Sequence, residues 1–240
     1  MKLIVCENYE EMSKEGAKII AALLKEKPNC VLGLATGSTP VGMYDELAKM
    51  NKAGEISFKD VTSYNLDEYY PLAPTHDQSY RYFMNKNLFE KVDIDISKTH
   101  VPDGLAADPA AMGAAYDAAI LAAGGIDLQV LGLGPNGHIA FNEPEEELYA
   151  GTHLTGLTDS TITANARFFA SKEDVPTQAV TMGIGSIMKA KKIVTLASGK
   201  GKHAVVEKML SGRITTQCPG TLLLAHADVT LIVDKAAFEG

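Results

Sequence analysis

Residues 126–144 read Ile126-Asp-Leu-Gln-Val-Leu131-Gly-Leu-Gly-Pro135-Asn136-Gly-His138-Ile-Ala-Phe-Asn142-Glu143-Pro144. An apolar strand over Ile126–Leu133 empties into a turn that carries an imidazole and a carboxylate. A strand with no clean polar alternation is buried on both faces, as in a parallel sheet. Loops leaving the carboxyl ends of such strands build the ligand site of open α/β folds. Gly134 and Pro135 punctuate the turn, Gly137 lets the backbone pass close to a ligand, and Pro144 closes it. A surface turn with a capping Asn and a solvated Glu uses the same residue types, so the stretch is read together with the rest of the chain.

Working outward, the strand-then-helix rhythm recurs on both sides. Apolar runs at Leu3–Cys6, Val31–Ala35, Val61–Leu66, Val180–Met182, Lys192–Ala197 and Val229–Val233 alternate with helical patterns near Lys14–Lys25, Val41–Met50, Tyr80–Phe89, Asp108–Ala123 and Lys202–Leu210. Such alternation implies right-handed crossovers onto a parallel sheet with helices on both faces. The pattern predicts a three-layer α/β/α sandwich with a mostly parallel, doubly wound, Rossmann-like sheet. No repeat, low-complexity tract or Pro/Ser linker divides the chain, so residues 1–240 read as a single domain. Residues 143–172 break the rhythm, being polar, Thr-rich and poor in strand patterns, which predicts a lid over the strand ends.

With 240 residues, 46% of them hydrophobic, the chain is long enough to bury one α/β core. Acidic residues outnumber basic ones, 30 to 22, for a formal charge of −8. That balance argues against nucleic acid as a partner, because phosphate neutralisation requires a basic patch. An anionic ligand would then need a local cationic pocket. No apolar run approaches the ~20 residues of a membrane span, and Met1–Cys6 lacks the length and cleavage pattern of a signal peptide. A soluble cytoplasmic protein without a membrane partner is expected. Cys6, Cys30 and Cys218 are far apart, and His76, His100, His153, His203 and His226 show no close ligand spacing, so neither a disulfide scaffold nor a metal is expected. The nine Met residues read as core filling, and Tyr80, Tyr82 and Phe83 as a packing face.

Two further constellations carry chemistry. Val31-Leu-Gly-Leu-Ala-Thr36-Gly37-Ser38-Thr39-Pro40 is a buried strand, a hydroxyl-rich glycine turn and a helix opening at Pro40. Backbone N–H groups at a helix start together with hydroxyls favour a phosphate, although a helix capped by one of those hydroxyls would look the same. The turn matches neither GxxxxGK[ST] nor GxGxxG, which disfavours the usual nucleotide sites. Val61-Thr-Ser-Tyr-Asn-Leu66-Asp67-Glu68-Tyr69-Tyr70-Pro71 ends a strand on two acids followed by aromatics. A carboxylate partly desolvated beside tyrosines becomes basic enough to abstract a carbon-bound proton. Adjacent side chains point in different directions in extended chain, so Asp67 and Glu68 need not share a role. An exposed acidic turn would carry the same residues.

Four motifs follow one another: Thr36-Gly-Ser-Thr-Pro40, Asn65-Leu-Asp67-Glu68-Tyr69, Gly134-Pro-Asn-Gly-His138-Ile-Ala-Phe-Asn-Glu143-Pro144, and Thr163-Ala-Asn-Ala-Arg167-Phe-Phe169. In this order they resemble glucosamine-6-phosphate deaminases, and the resemblance spans the chain from its first strand to its last. It implies conversion of glucosamine 6-phosphate and water into fructose 6-phosphate and ammonia, in amino-sugar catabolism, without a metal or organic cofactor.

The resemblance also implies roles. His138 matches the base that opens the pyranose, Glu143 the carboxylate that orients its imidazole, and Asn136 a supporting group. Some members of the family carry Asp where Asn136 stands, so a neutral amide here replaces one charge of a relay. Asp67 matches the base for enolisation, with Glu68 secondary. The phosphate falls to Thr36, Gly37, Ser38 and Thr39 with Arg167 and Lys202, a planar fork and a point charge; Lys200 competes with Lys202 in sequence. Some bacterial members are hexamers activated by N-acetylglucosamine 6-phosphate, held at a subunit interface by an Arg and a Lys. The matching positions here are His153 and Thr155, and the chain stops soon after Val229–Val233, which implies a monomer or small homo-oligomer. Two rival readings are a 6-phosphogluconolactonase-like hydrolase, which needs no base at Asp67, and a non-catalytic sugar-phosphate-sensing domain of a regulator, which would carry a DNA-binding helix pair and a basic face.

Overall fold

A computed structural model describes the backbone of residues 1–240 and every side chain except those of residues 164 and 168. The chain runs β1 (Lys2–Cys6), α1 (Tyr9–Glu26), β2 (Val31–Leu34), α2 (Val41–Lys52), β3 (Thr62–Asn65), β4 (Asp67–Tyr70), α3 (Tyr80–Asn87), β5 (Thr99–His100), α4 (Pro109–Ala122) and β6 (Leu128–Gly132). It continues with β7 (His153–Gly156), α5 (Asp159–Asn165), β8 (Gln178–Thr181), α6 (Ile184–Met188), β9 (Lys192–Ala197), α7 (His203–Leu210), β10 (Val229–Asp234) and α8 (Lys235–Glu239).

Local chemistry sets these elements. Asn8 caps α1 by accepting the Glu11 N–H at 2.9 Å, and Glu10 and Glu11 in the first turn suit the positive end of the helix. Met12, Gly16, Ile20 and Leu24 then bury one face at helical spacing. Asp108 caps α4 through the N–H groups of Ala110 and Ala111, with Pro109 in the first turn.

Seven strands form the main sheet in the order β1-β10-β9-β6-β2-β3-β5, each pair parallel. The apolar strands β2, β6, β9 and β10 are buried, and they anchor the principal core. The fold is the α/β, mostly parallel, Rossmann-like arrangement that the alternation implies. Among the described residues no helix is long and apolar enough to cross a membrane.

The structure adds a second sheet, three antiparallel strands in the order β4-β8-β7. The chain passes from β3 to β4 through Leu66, whose carbonyl accepts the Met182 N–H at 2.7 Å. Asp67 and Glu68 therefore begin a strand rather than a loop, and Val180–Met182 belongs with this sheet instead of the parallel one. Segment 143–172, read as poor in strand patterns, contains β7. Its helix α5 buries Ile162 in a small cluster with Tyr69, Phe141, Leu157, Val175 and Ala179, which holds the segment over the carboxyl ends of the main strands.

Candidate active site

Four loops meet where the strand order of the main sheet reverses between β2 and β6, beyond the carboxyl ends of β2, β3, β6 and β9. They enclose a cleft of about 440 Å³, within the usual range for a small-molecule site. Thr36, Gly37, Ser38 and Thr39 line one side, Asp67 and Tyr80 another, Asn136 and His138 a third, and Thr161, Asn165, Arg167 and Lys202 close the rim. Glu143 is buried directly behind His138. All ten residues singled out in the sequence thus gather at one place.

The loop after β2 is pinned at several points. Tyr44 donates its hydroxyl to the Ala35 carbonyl at 2.6 Å. The Tyr9 hydroxyl donates to the Ser38 carbonyl at 3.1 Å and accepts the Gly42 N–H at 2.8 Å. Gly37 has φ of 86°, a left-handed conformation natural to glycine. Pro40, expected at the first helical position, instead occupies the cap of α2, and no side chain caps that helix. The hydroxyls of Thr36, Ser38 and Thr39 are therefore not spent on capping that helix, and all three residues line the cleft.

Two cations converge on these hydroxyls. Arg167 Nη2 lies 3.4 Å from Ser38 Oγ. Burial lowers the pKa of Lys202, and the charge of Arg167 lowers it further. Among the described residues no carboxylate lies within ion-pair distance of Lys202. Lys200, its competitor in sequence, is exposed and does not line the cleft. A pocket that presses two cations together beside hydroxyls can hold an anion such as a phosphate.

Asp67 and Glu68 diverge, as extended chain requires. Glu68, 1% exposed, accepts the backbone N–H groups of Tyr69, Tyr80 and Arg81 at 2.9, 2.8 and 3.0 Å. It ties β4 to the start of α3. Burial pushes its carboxyl up to about 7 against the pull of those N–H groups and of Arg81. Asp67, 5% exposed, faces the cleft. Burial, reinforced by the charge of Glu68, pushes it up to about 8. A carboxylate this basic can abstract a carbon-bound proton.

The loop after β6 holds the imidazole. Its turn is closed by the Gly134 N–H to the His138 carbonyl at 2.9 Å and the Gly137 N–H to the Gly134 carbonyl at 3.0 Å. The His138 ring packs on the Cα of Gly134 so closely that a Cβ there would come within 2.4 Å of three ring atoms. Asn136 bridges the motif, accepting the His138 N–H at 3.1 Å and donating its amide to Glu143 Oε2 at 2.7 Å. His138 Nδ1 lies 3.4 Å from the same oxygen, a loose contact of the kind that tightens when substrate binds. Glu143 Oε1 accepts the hydroxyl of Thr161 and, at 3.3 Å, that of Thr158. Burial alone would raise the Glu143 carboxyl, yet His138, Thr161 and Asn136 together bring it down to about 2. An anion so held can stabilise a protonated imidazole.

Sequence reading assigned no site role to Thr158, Thr161 or Tyr80. The threonines sit in a polar stretch without periodicity, and Tyr80 reads as a packing residue. It does pack, stacked on Phe141 with ring centroids 6.0 Å apart, while also walling the cleft.

The sequence model of the glucosamine-6-phosphate isomerase/6-phosphogluconolactonase family matches residues 7–232. The chain belongs to that family. Within it, a glucosamine-6-phosphate deaminase of Clostridium perfringens is 61% identical over 237 residues, covering 99% of this chain and 98% of that protein. A solved structure of a monomeric glucosamine-6-phosphate deaminase superposes with a TM-score of 0.97 at 42% identity, covering 99% of this chain and 98% of that one. A 6-phosphogluconolactonase of Thermotoga maritima superposes with a TM-score of 0.78 at 21% identity, covering 98% and 99%. That last likeness is one of fold, so the hydrolase reading rests on architecture alone.

Proposed function

We propose that this chain is a glucosamine-6-phosphate deaminase that converts glucosamine 6-phosphate and water into fructose 6-phosphate and ammonia. The observation that carries the reading is the arrangement of one cleft. A basic, desolvated carboxylate at Asp67 and an imidazole–carboxylate pair at His138 and Glu143 share it with a cationic, hydroxyl-lined pocket at Ser38, Arg167 and Lys202. The reaction needs a C2 base, a group for ring opening and a phosphate anchor.

In this reading the phosphate is held by the loop Thr36–Thr39 with Arg167 and Lys202. His138 takes the proton of the anomeric hydroxyl and delivers it to the ring oxygen as the bond from C1 to that oxygen breaks, and the aldehyde opens. Glu143, still anionic at neutral pH, stabilises the imidazolium, and Asn136 fixes both partners. Asp67 then removes the proton on C2 and returns it to C1 through an enolamine. The resulting C2 imine adds water and expels ammonia, leaving the ketone. Binding places the reacting atoms beside these groups, which supplies much of the rate. The cytoplasm and a monomeric or small homo-oligomeric state, independent of nucleic acid and membrane, complete the proposal.

The test is direct. Purified protein given glucosamine 6-phosphate should release ammonia and fructose 6-phosphate in equal amounts, with and without a chelator. Hydrolysis of 6-phosphogluconolactone without ammonia release from the amino sugar would overturn the assignment.

A further inference from the structure

We infer that Asp234, at the end of β10, is a positioning residue that fixes the Lys202 turn in its phosphate-binding shape. The turn that delivers Lys202 reads Ser198-Gly199-Lys200-Gly201-Lys202. Two glycines in five residues make it intrinsically loose, and ordering such a segment upon binding costs conformational entropy. Gly199 adopts φ of 88°, and a Cβ at Gly201 would meet nothing within 4 Å. Neither glycine contributes a side chain to hold the turn.

Asp234 supplies what the turn lacks. Its carboxylate accepts the Ser198 hydroxyl at 2.5 Å and the Gly199 N–H at 3.0 and 3.1 Å. Through the Ala237 N–H at 2.8 Å it also caps α8. On the far side of Lys202, His203 Nδ1 stands 3.3 Å from the Ala237 carbonyl. The segment Asp234–Ala237 thus grips the turn on both flanks of Lys202. With its oxygens occupied by three donors and only 5% exposed, the Asp234 carboxylate does not compete for the cation that it places. Ordering is completed on folding, so phosphate meets a preset ammonium.

The inference rests on Lys202 as a phosphate ligand, and the experiment separates the two. Ser198→Ala removes one tie to the turn and leaves the cap of α8 intact; Asp234→Asn weakens all of them; Lys202→Ala removes the cation. KM for glucosamine 6-phosphate, the inhibition constant of inorganic phosphate, and kcat are measured for each. Asp234→Asn should raise the first two about tenfold, the scale of one or two hydrogen bonds, and Ser198→Ala should raise them less, with kcat held within about twofold. Adding Asp234→Asn to Lys202→Ala should change nothing further, because positioning acts only through the ammonium. If Lys202→Ala weakens phosphate while Ser198→Ala and Asp234→Asn do not, or if the double variant is fully additive, the positioning role is overturned and the phosphate site stands. If Lys202→Ala leaves both constants unchanged, the phosphate assignment itself falls and takes this inference with it. Should Asp234→Asn fail to fold, Ser198→Ala and its double with Lys202→Ala decide the matter alone.

Discussion

Thr161, on the helix overhanging the cleft, donates its hydroxyl to Glu143, the carboxylate that stands behind His138. The segment covering the site is thereby joined to its acid–base pair. Thr161→Val leaves a buried carboxylate oxygen short of a donor, at a cost of about 1–3 kcal/mol. Glu143 titrates at about 2 in the folded chain against an ordinary 4.5. The stability that it contributes is present above pH 4.5 and is lost as pH falls through about 2. Thermal melts of Thr161→Val and the parent should therefore differ most near neutrality and converge on acidification. A gap independent of pH would assign Thr161 to packing alone.

Asp67 gives a prediction of opposite sign. Its folded value of about 8 lies above the ordinary 3.8, so the folded chain is fully stable below pH 3.8 and loses stability progressively as pH rises from there through about 8. Asp67→Asn should match the parent in acid and melt higher than it in alkali. The same change removes the proposed C2 base, and turnover should fall at least ~100-fold with substrate binding kept. In the parent, kcat/KM should climb as pH rises towards 8, with apparent values that belong to the Asp67–Glu68 pair. A variant that keeps half of the parent's turnover would remove Asp67 from the mechanism, and an equal loss of thermal stability would make it a structural acid.

His138 is separable from Asp67 by the state of the sugar. His138→Gln should slow reaction of the closed pyranose far more than reaction of an already open analogue. Equal losses on both would extend His138 to enolisation or reduce it to a structural role. Gly134→Ala offers the same test through the backbone, since its methyl group would displace the imidazole. It should lower kcat and leave inhibition by inorganic phosphate unchanged, because the phosphate loop lies across the cleft.

The parallel sheet was legible because β2, β6, β9 and β10 are apolar on both faces, and strands of that kind have one reading. The ends of those strands then marked Thr36–Thr39, Asn136 and His138 as neighbours. The antiparallel sheet was not legible. Asp67-Glu68-Tyr69-Tyr70 and His153-Leu-Thr-Gly156 carry no alternation, since their burial comes from a partner strand and from backbone donors to Glu68 rather than from apolar side chains. Thr161 was hidden for a related reason. A buried threonine that serves a carboxylate 18 residues away has the same local sequence as an exposed one.

Regulation follows from β7. His153 stacks on Tyr149, with ring centroids 4.3 Å apart, and its Nδ1 lies 2.9 Å from the Gly151 carbonyl; burial lowers its pKa, which disfavours the charged form. Thr155 places its hydroxyl 3.4 Å from the Gly156 carbonyl. Neither position presents the planar fork or the point charge that grips a phosphate. Rates should therefore be hyperbolic in glucosamine 6-phosphate and indifferent to N-acetylglucosamine 6-phosphate. Light scattering should report a monomer or small oligomer. His153→Arg together with Thr155→Lys should leave the rate curve hyperbolic, because allosteric response also requires a neighbouring subunit whose equilibrium the effector can bias. A sigmoidal curve for the parent that straightens on adding the N-acetylated compound, alongside the mass of a hexamer, would show that the effector is bound by other residues.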